Sequence, residues 1–549
     1  MSEVSKELDL SMDVWQRLFV AFDTSPERYP VHLWRYEALD IWPIVKTQFM
    51  LRACNLFHAD KSHFLTPSGD LNKSEIRFTS GNYAPSDSSL IARPPASKKN
   101  DLPTGVGRTA KSFRPLVADV LFWGSDIGRT DIGDYGVMPL IDPFRIVLEE
   151  AQIRTTTLLV DVAKDDPSLN DMMAGGAYGF RDEFNKMRTA YTNGDLIDFE
   201  QMDGFSDWFA EMNAIWPIEC LHTRTQLSSV IAQTQSCYQI LLDYYRIHAL
   251  KGVAIYAFYG PLGHASAAAC RDIGIPCMDI QHGVAGSGHE SYHWPNMPVR
   301  GYNTLPTHFL TWTDVERQSI AEHAGPDGPD ATTVGHTWRL TEEIFRLDRT
   351  PIALNQERYF RTRKALQQGL KNYGAKLSEK NAGGINILVS LYTDQDIDWL
   401  KAVIENSPAD WRYFVRLHPG EAKRPGAVEA RKTLLGGLNA EVETSTHATI
   451  PELMPHMNMH LTKYSSTVID ALAYGVPSVC FSESAAWFYP SEDYKNVIVV
   501  ENNPDEIVKA LETLLSRASD ISAPQADLSE LQQTLFEILG ENPAYGKLS

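Results

Sequence analysis

The stretch "GVAIYAFYGPLGHASAAACRDIGIPCMDIQHG", Gly252 to Gly283, decides how the rest of the chain is read. Val253–Phe258 is an apolar run of strand length, and Gly260–Gly263 reads as a tight turn. Ala265–Asp272 follows as a helix of small residues that stops at Gly274, and Ile275–Ile280 is the next strand. A strand, a short helix and a second strand in about thirty residues is the unit of a parallel α/β sheet. Ligands of such sheets gather at the carboxyl ends of strands, and both "YGPLGH" (259–264) and "QHGVAGSGH" (281–289) fall on that edge.

The same rhythm extends outward in both directions. Leu116–Trp123 is a strand closed by Gly124, and "DPFRIVLEEAQIRTTTLLVDV" reads as a helix followed by a strand over Thr157–Val162. Residues 168–249 are mostly helical and read as an insertion packed on this unit. "HFLTWTD" and "ATTVGHTW" end it. After a charged helical connector over 342–380, a second α/β unit opens at "INILVSLYTD" and runs through "WRYFVRLHPGE", "HLTKYSSTVIDALAYGVPSVCFSES" and "VIVVENNPDEIVKALETLL". Residues 1–60 carry a helical stripe interrupted at Pro43, and 61–114 are polar, as a long loop or linker would be. The expected organisation is a helical segment with linker (1–115), a first Rossmann-like domain (116–340, insertion about 168–249) and a second (341–549). The two domains face each other across a cleft.

Bulk numbers bound the function. A chain of 549 residues needs more than one core. Its 43% hydrophobic and 22% charged residues are ordinary for a soluble enzyme. The net charge of -20 argues against a broad nucleic-acid-binding face, yet a phosphate can still be held locally by backbone N–H groups at a helix start. The six cysteines are scattered without a C-x-x-C pair, which suits reduced thiols in the cytosol. "MSEVSKELDLSMDVW" has no signal-peptide apolar region and no apolar run is long enough to span a bilayer, so a cytoplasmic location is expected.

The second unit holds the more specific motifs. In "FVRLHPG" a strand ends at Leu417 and presents His418, with Pro419 stopping the strand. Such a histidine can donate to a phosphate oxygen, or be an ordinary loop residue. In "HLTKYSSTVIDALAYGVPSVCF", Ser465 and Ser466 fall at the start of a helix that ends at Gly475. Hydroxyls, free N–H groups and the positive end of the helix dipole together suit an anion. The two motifs lie at strand ends of one unit and could converge on one anion, with Glu483 placed to accept from a sugar hydroxyl.

In the first unit, "YGPLGH" lacks the glycine spacing of a dinucleotide fingerprint and reads as a turn through which a substrate can approach backbone N–H groups at Gly260, Gly263 and His264. "GSDIGRTDIGDYGVMPLIDPF" makes an acidic loop in which Asp126, Asp131 or Asp134 could be a base and Asp142 a helix cap. His282, His289 and His293 have a spacing a metal could use, but no cysteine or compact carboxylate set accompanies them, and no metal site is expected.

In order along the chain, "DIQHGVAGSGH", "RLHPG" and "KYSSTVIDALAYGVPSVCF" resemble bacterial GT-B glycosyltransferases of capsule and lipopolysaccharide biosynthesis, including those that use CMP-Kdo or CMP-sialic acid. CDP-glycerol glycerophosphotransferases share a related histidine-proline and serine pattern. The resemblance covers about 30–60 and 116–515. It implies transfer of a sugar from a nucleotide-activated donor, CMP-linked before UDP- or CDP-linked, to a glycan or glycolipid hydroxyl, with no further cofactor and no nucleic acid. It places the nucleotide phosphate at His418, Pro419, Ser465 and Ser466, with Glu483 on the ribose. Gln281, Gly283, His289, Gly260, Gly263 and His264 would line the sugar and acceptor side. His282 is the leading base by its intrinsic pKa, with Asp279 and Asp126 as alternatives. An epimerase or hydrolase on the same scaffold and a non-catalytic binding scaffold are the competing readings. A lipid-linked acceptor would bring the chain to the inner membrane surface, where the aromatics of "HLWRYEALDIW" could make peripheral contact. The oligomeric state is left open.

Overall fold

The computed structural model describes residues 29–49, 113, 115–189, 197–215, 223–289, 291–294, 297–347, 349–352, 354–380, 384–391, 397–517 and 523–541. The expectations for 1–28, for most of the polar linker, and for Cys54 and Cys220 lie outside the described residues. Among those described, Cys237, Cys270, Cys277 and Cys480 are buried free thiols.

The chain is α/β and GT-B-like, with two parallel sheets. The first contains β1 (Val120–Gly124), β2 (Thr155–Leu159), β3 (Ala177–Gly179), β4 (Gly252–Ile255), β5 (Cys277–Ile280), β6 (His308–Thr311) and β7 (Asp330–Thr333). Its strand order is β7-β6-β5-β4-β1-β2-β3. The second contains β8 (Ile385–Ser390), β9 (Trp411–Arg416), β10 (Ala440–Glu441), β11 (Met459–Thr462), β12 (Ser478–Cys480) and β13 (Val497–Val499), in the order β10-β9-β8-β11-β12-β13. Both orders reverse direction once, between β1 and β4 and between β8 and β11. Each reversal opens a crevice where the connecting loops part, which is where doubly wound sheets hold ligands. Strands β1, β2, β4 and β5 are buried along their whole length, as central parallel strands covered on both faces must be.

The segment expected as a helical insertion is largely helical but also supplies β3, the edge strand of the first sheet. Helix α1 (Arg224–His248) then crosses back over the sheet to β4, packed on α2 (Pro261–Ile273). The four residues read as a turn, 260–263, instead start α2, with Gly260 at its N-cap and Pro261 in the first helical position, where its missing N–H costs nothing. The N-terminal segment forms a two-stranded ribbon, Arg35–Tyr36 with Leu39–Asp40, and a helix over 42–49, so Pro43 starts this helix rather than interrupting it. Trp34 and Trp42 pack edge-on against Trp208 and are almost fully buried. They are core, which removes the aromatic argument for a membrane contact. No helix among the described residues is long and apolar enough to cross a membrane.

The last helix, α3 (Leu528–Leu539), returns to the first sheet. Leu528, Leu531, Leu535 and Phe536 share a core with Val120, Phe144 and Leu148. Ile344, Phe345, Tyr359 and Leu366 of the connector join the same core. The stretch expected as one second domain, 341–549, is therefore packed in two places, with its connector and α3 on the first sheet.

Candidate functional site

The edge of the second sheet carries the motifs read from the sequence. Ser465 Oγ accepts the Thr467 N–H, so Ser465 does the capping for helix Thr467–Ala473. Ser466 makes no cap bond with that helix and is exposed. Tyr489 Oη donates to the Ser465 carbonyl and fixes the turn from behind. His418 follows β9 and is exposed, its carbonyl accepting the Glu421 and Ala422 N–H groups of the next turn. Because β8 lies between β9 and β11, the two motifs sit two strand spacings apart, roughly 10 Å. They share one edge of the sheet. Pro419 and Glu483 begin short helices at this edge, and their side chains are not among those described.

Between the motifs lies a feature the sequence did not announce. His460, fully buried on β11, has Nδ1 3.0 Å from Ser478 Oγ and Nε2 3.0 Å from Ser390 Oγ. Burial pulls its pKa down to about 3, so the ring is neutral and ties β8, β11 and β12 together beneath the crevice. Its place inside the apolar strand β11, whose four residues are all buried, is the one local signal that could have flagged it.

The edge of the first sheet is built differently. His282 follows β5, and its Nε2 is 2.9 Å from the Tyr259 hydroxyl. Its Nδ1 makes no hydrogen bond among the described residues. Burial, with the neighbouring His289 adding, pulls its pKa down to about 4, so the ring is neutral at pH 7. Tyr256 and Tyr259 flank the imidazole, each with its ring centre 5.9 Å away, and His289 lies against the other side of Tyr259 at 5.3 Å. Asp126, after β1, lies 3.6 Å from Arg129, and its backbone N–H donates to Asp161. The Tyr256 hydroxyl donates to the Ser125 carbonyl, which brings this acidic loop beside the His282 pair.

Several residues assigned to the site are spent inside the fold. Asp279 is buried, with one oxygen accepting the Tyr292 hydroxyl and the other the Phe258 N–H, and desolvation raises its pKa to about 8. It anchors the loop after the strand and does not reach the cleft. Gln281 is buried, accepting the Trp312 N–H and donating to the Gly283 carbonyl, so it shapes the loop. His264 is buried with Nδ1 2.8 Å from the Thr304 carbonyl, and burial lowers its pKa to about 4. Gly263 is required by packing, since a Cβ there would lie 2.0 Å from the Phe258 carbonyl oxygen. His293 turns away toward Lys46 and His323, so the three histidines do not converge. Asp142 is buried in the first turn of its helix and accepts the Met138 N–H, close to the expected capping role.

The two edges meet. Gly283 faces Ser466 closely enough that a Cβ would sit 3.6 Å from the serine Cβ. Trp487 Nε1 donates to the Gly288 carbonyl, Tyr494 Oη to Glu316, Tyr474 Oη to Glu342, and His336 Nε2 lies 3.0 Å from Asp470. None of these partners was read from the sequence, because each pair joins segments more than a hundred residues apart. Behind Tyr256, at the β1/β4 reversal, lies a cavity of ≈ 240 Å³ lined by Trp123, Ser125, Val160, Phe184, Leu262 and Gly260 among others. Ala257, on its wall, holds φ at +57°, a conformation side chains rarely adopt and one often found at functional turns.

No protein-family model matches the chain, and no curated protein sequence matches it. Its fold is similar to that of the UDP-GlcNAc 2-epimerase of Methanocaldococcus jannaschii (14% identity, TM-score 0.41, covering 77% of this chain and 99% of that one). It is similar also to the UDP-GlcNAc 2-epimerase of Neisseria meningitidis (11%, TM-score 0.44, 77% and 99%). The glycosyltransferase SnogD of Streptomyces nogalater is a further neighbour (14%, TM-score 0.34, 77% and 99%).

Proposed function

We propose that this chain is an enzyme acting on a nucleotide-linked sugar held between its two sheets, with the nucleotide phosphates at the Ser466 and His418 edge and the sugar at the His282 edge. The observation that carries this reading is the meeting of the two edges at Gly283 and Ser466. Cleavage of the sugar–phosphate bond leaves negative charge on the nucleotide. The Ser466 hydroxyl, the helix start beyond it and His418 would stabilise that charge as it develops. With Nε2 protonated and donating to the Tyr259 oxygen, His282 keeps a lone pair on a buried Nδ1, which can accept a proton from a substrate hydroxyl once substrate binding uncovers it. Asp126 is the second candidate base.

Two reactions remain to be separated, sugar transfer to an acceptor hydroxyl and acceptor-free processing by an epimerase or hydrolase. Calorimetry with CMP, CDP, UDP and GDP tests the shared premise. One nucleotide should bind, and a Ser465→Ala, Ser466→Ala double variant should lose it. His282→Ala should keep that affinity within a few-fold while turnover falls by about 100-fold or more. A folded wild type that binds no nucleotide would refute the proposal. Donor breakdown, or solvent deuterium entering the sugar, with no acceptor present would select the epimerase or hydrolase.

A further inference from the structure

The cavity at the β1/β4 reversal has walls whose polar groups are already engaged. Trp123 Nε1 donates to the Tyr245 hydroxyl behind the wall, Ser125 Oγ donates to Asp161, and the Tyr256 hydroxyl donates to the Ser125 carbonyl. Val160, Phe184, Ile255 and Leu262 complete an apolar lining. The space opens to solvent and its lining offers water few unengaged polar partners, so an apolar group that displaces that water is favoured. At ≈ 240 Å³ it has room for a substituted ring. One pole differs. The first turn of α2 contributes Leu262 and Gly263, whose N–H groups precede the first helical hydrogen bonds. The adjoining loop carries Asp126 and Asp161, which oppose an anion.

We infer that this cavity is a binding slot for an uncharged apolar or aromatic group bearing a hydroxyl, carried by the second substrate of the reaction proposed above. The inference rests on that reading for its role and on the cavity alone for its chemistry. The group would lie with its ring against Trp123 and Phe184 and its hydroxyl at the Tyr256 side, whose ring is 5.9 Å from that of His282. A charged lipid phosphate would meet the two aspartates and is not the occupant.

The test uses the full chain, 2-phenylethanol as an uncharged probe and phenylacetate as its charged counterpart, followed by saturation-transfer NMR and calorimetry. Phenylethanol should bind in the millimolar range and phenylacetate at least tenfold more weakly. Gly260→Leu supplies the blocking variant, because a Cβ at Gly260 meets no atom within 4 Å and the backbone there is ordinary. It should weaken phenylethanol at least tenfold and leave nucleotide affinity within twofold. Absence of phenylethanol binding, equal binding of the two probes, or a Gly260→Leu variant that binds phenylethanol like wild type would each overturn the inference. Phenylethanol binding to a protein that binds none of the four nucleotides would uphold the cavity and sink the nucleotide-sugar reading instead.

Discussion

The two crevices arise from the same strand order and are furnished in opposite ways. At the β8/β11 reversal the buried polar group is satisfied on both sides, with His460 held between Ser390 and Ser478, and the exposed groups are hydroxyl and imidazole donors. At the β1/β4 reversal the lining is apolar, and the nearby His282, after β5, keeps one ring nitrogen without a hydrogen bond among the described residues. One topology thus makes a polar shelf and an apolar slot beside a neutral imidazole. The sheet decides where a site can be, and the side chains after each strand decide what it can hold.

The largest effect expected concerns the backbone of the apolar crevice. Gly263 and Gly260 are three residues apart in one motif, yet a Cβ at Gly263 would lie 2.0 Å from a backbone oxygen while one at Gly260 meets open space. Gly263→Ala should cost about 3 kcal/mol or more, since the opposing atoms belong to the main chain and cannot swing aside. Gly260→Ala should change stability by less than about 1 kcal/mol, a cap-preference effect. Urea unfolding of the two variants checks this. A mild Gly263→Ala would mean that α2 can lift from the 256–260 turn, and the cavity would then be adjustable rather than preformed.

The polar shelf should show itself in acid. His460 is neutral in the folded protein, with its pKa depressed to about 3 against about 6.5 in the unfolded chain. The unfolded state therefore binds the proton first, so the stability contributed by the neutral ring is present above pH 6.5 and is lost progressively as pH falls toward 3. The loss is about 1.4 kcal/mol per pH unit, or about 2 kcal/mol between pH 7 and pH 5. In the first domain His264 and His282 act in the same direction, but Asp142 and Asp279, raised to about 6 and about 8, act in the opposite one. His460→Gln keeps hydrogen-bonding capacity without titrating, and should flatten the fall in denaturant midpoint from pH 7 to pH 5 by that amount. An unchanged slope would show that the ring is already charged or that the shelf is wet.

The contrast also explains what could be read from the sequence. The strand-to-helix placement of Ser465, Ser466 and His418 was legible because its signals are local. The first edge misled for the same reason. Gln281, Asp279 and His264 are polar residues at strand and helix ends, which is how functional groups look in one dimension. Their partners, Trp312, Tyr292 and Thr304, come from segments 13 to 40 residues away, and those partners decide that they are structural. The return of α3 to the first sheet was invisible for a further reason, since an amphipathic helix records that one face is buried but not against what.

The smallest effect is the most informative about chemistry. Tyr259→Phe removes only the hydroxyl 2.9 Å from His282 Nε2 and leaves the ring that packs against His282 and His289. If the hydroxyl merely fills space, turnover and its pH profile stay as they are. If it fixes the tautomer that leaves Nδ1 a lone pair, turnover should drop about tenfold, or about 1.4 kcal/mol, with nucleotide affinity unchanged. The acid limb of the pH–rate profile should shift in the same variant, because the ring loses a partner that distinguishes its neutral from its protonated form. A drop in turnover with no such shift would place Tyr259 on the substrate rather than on His282, and the proton would then have to leave by way of Asp126.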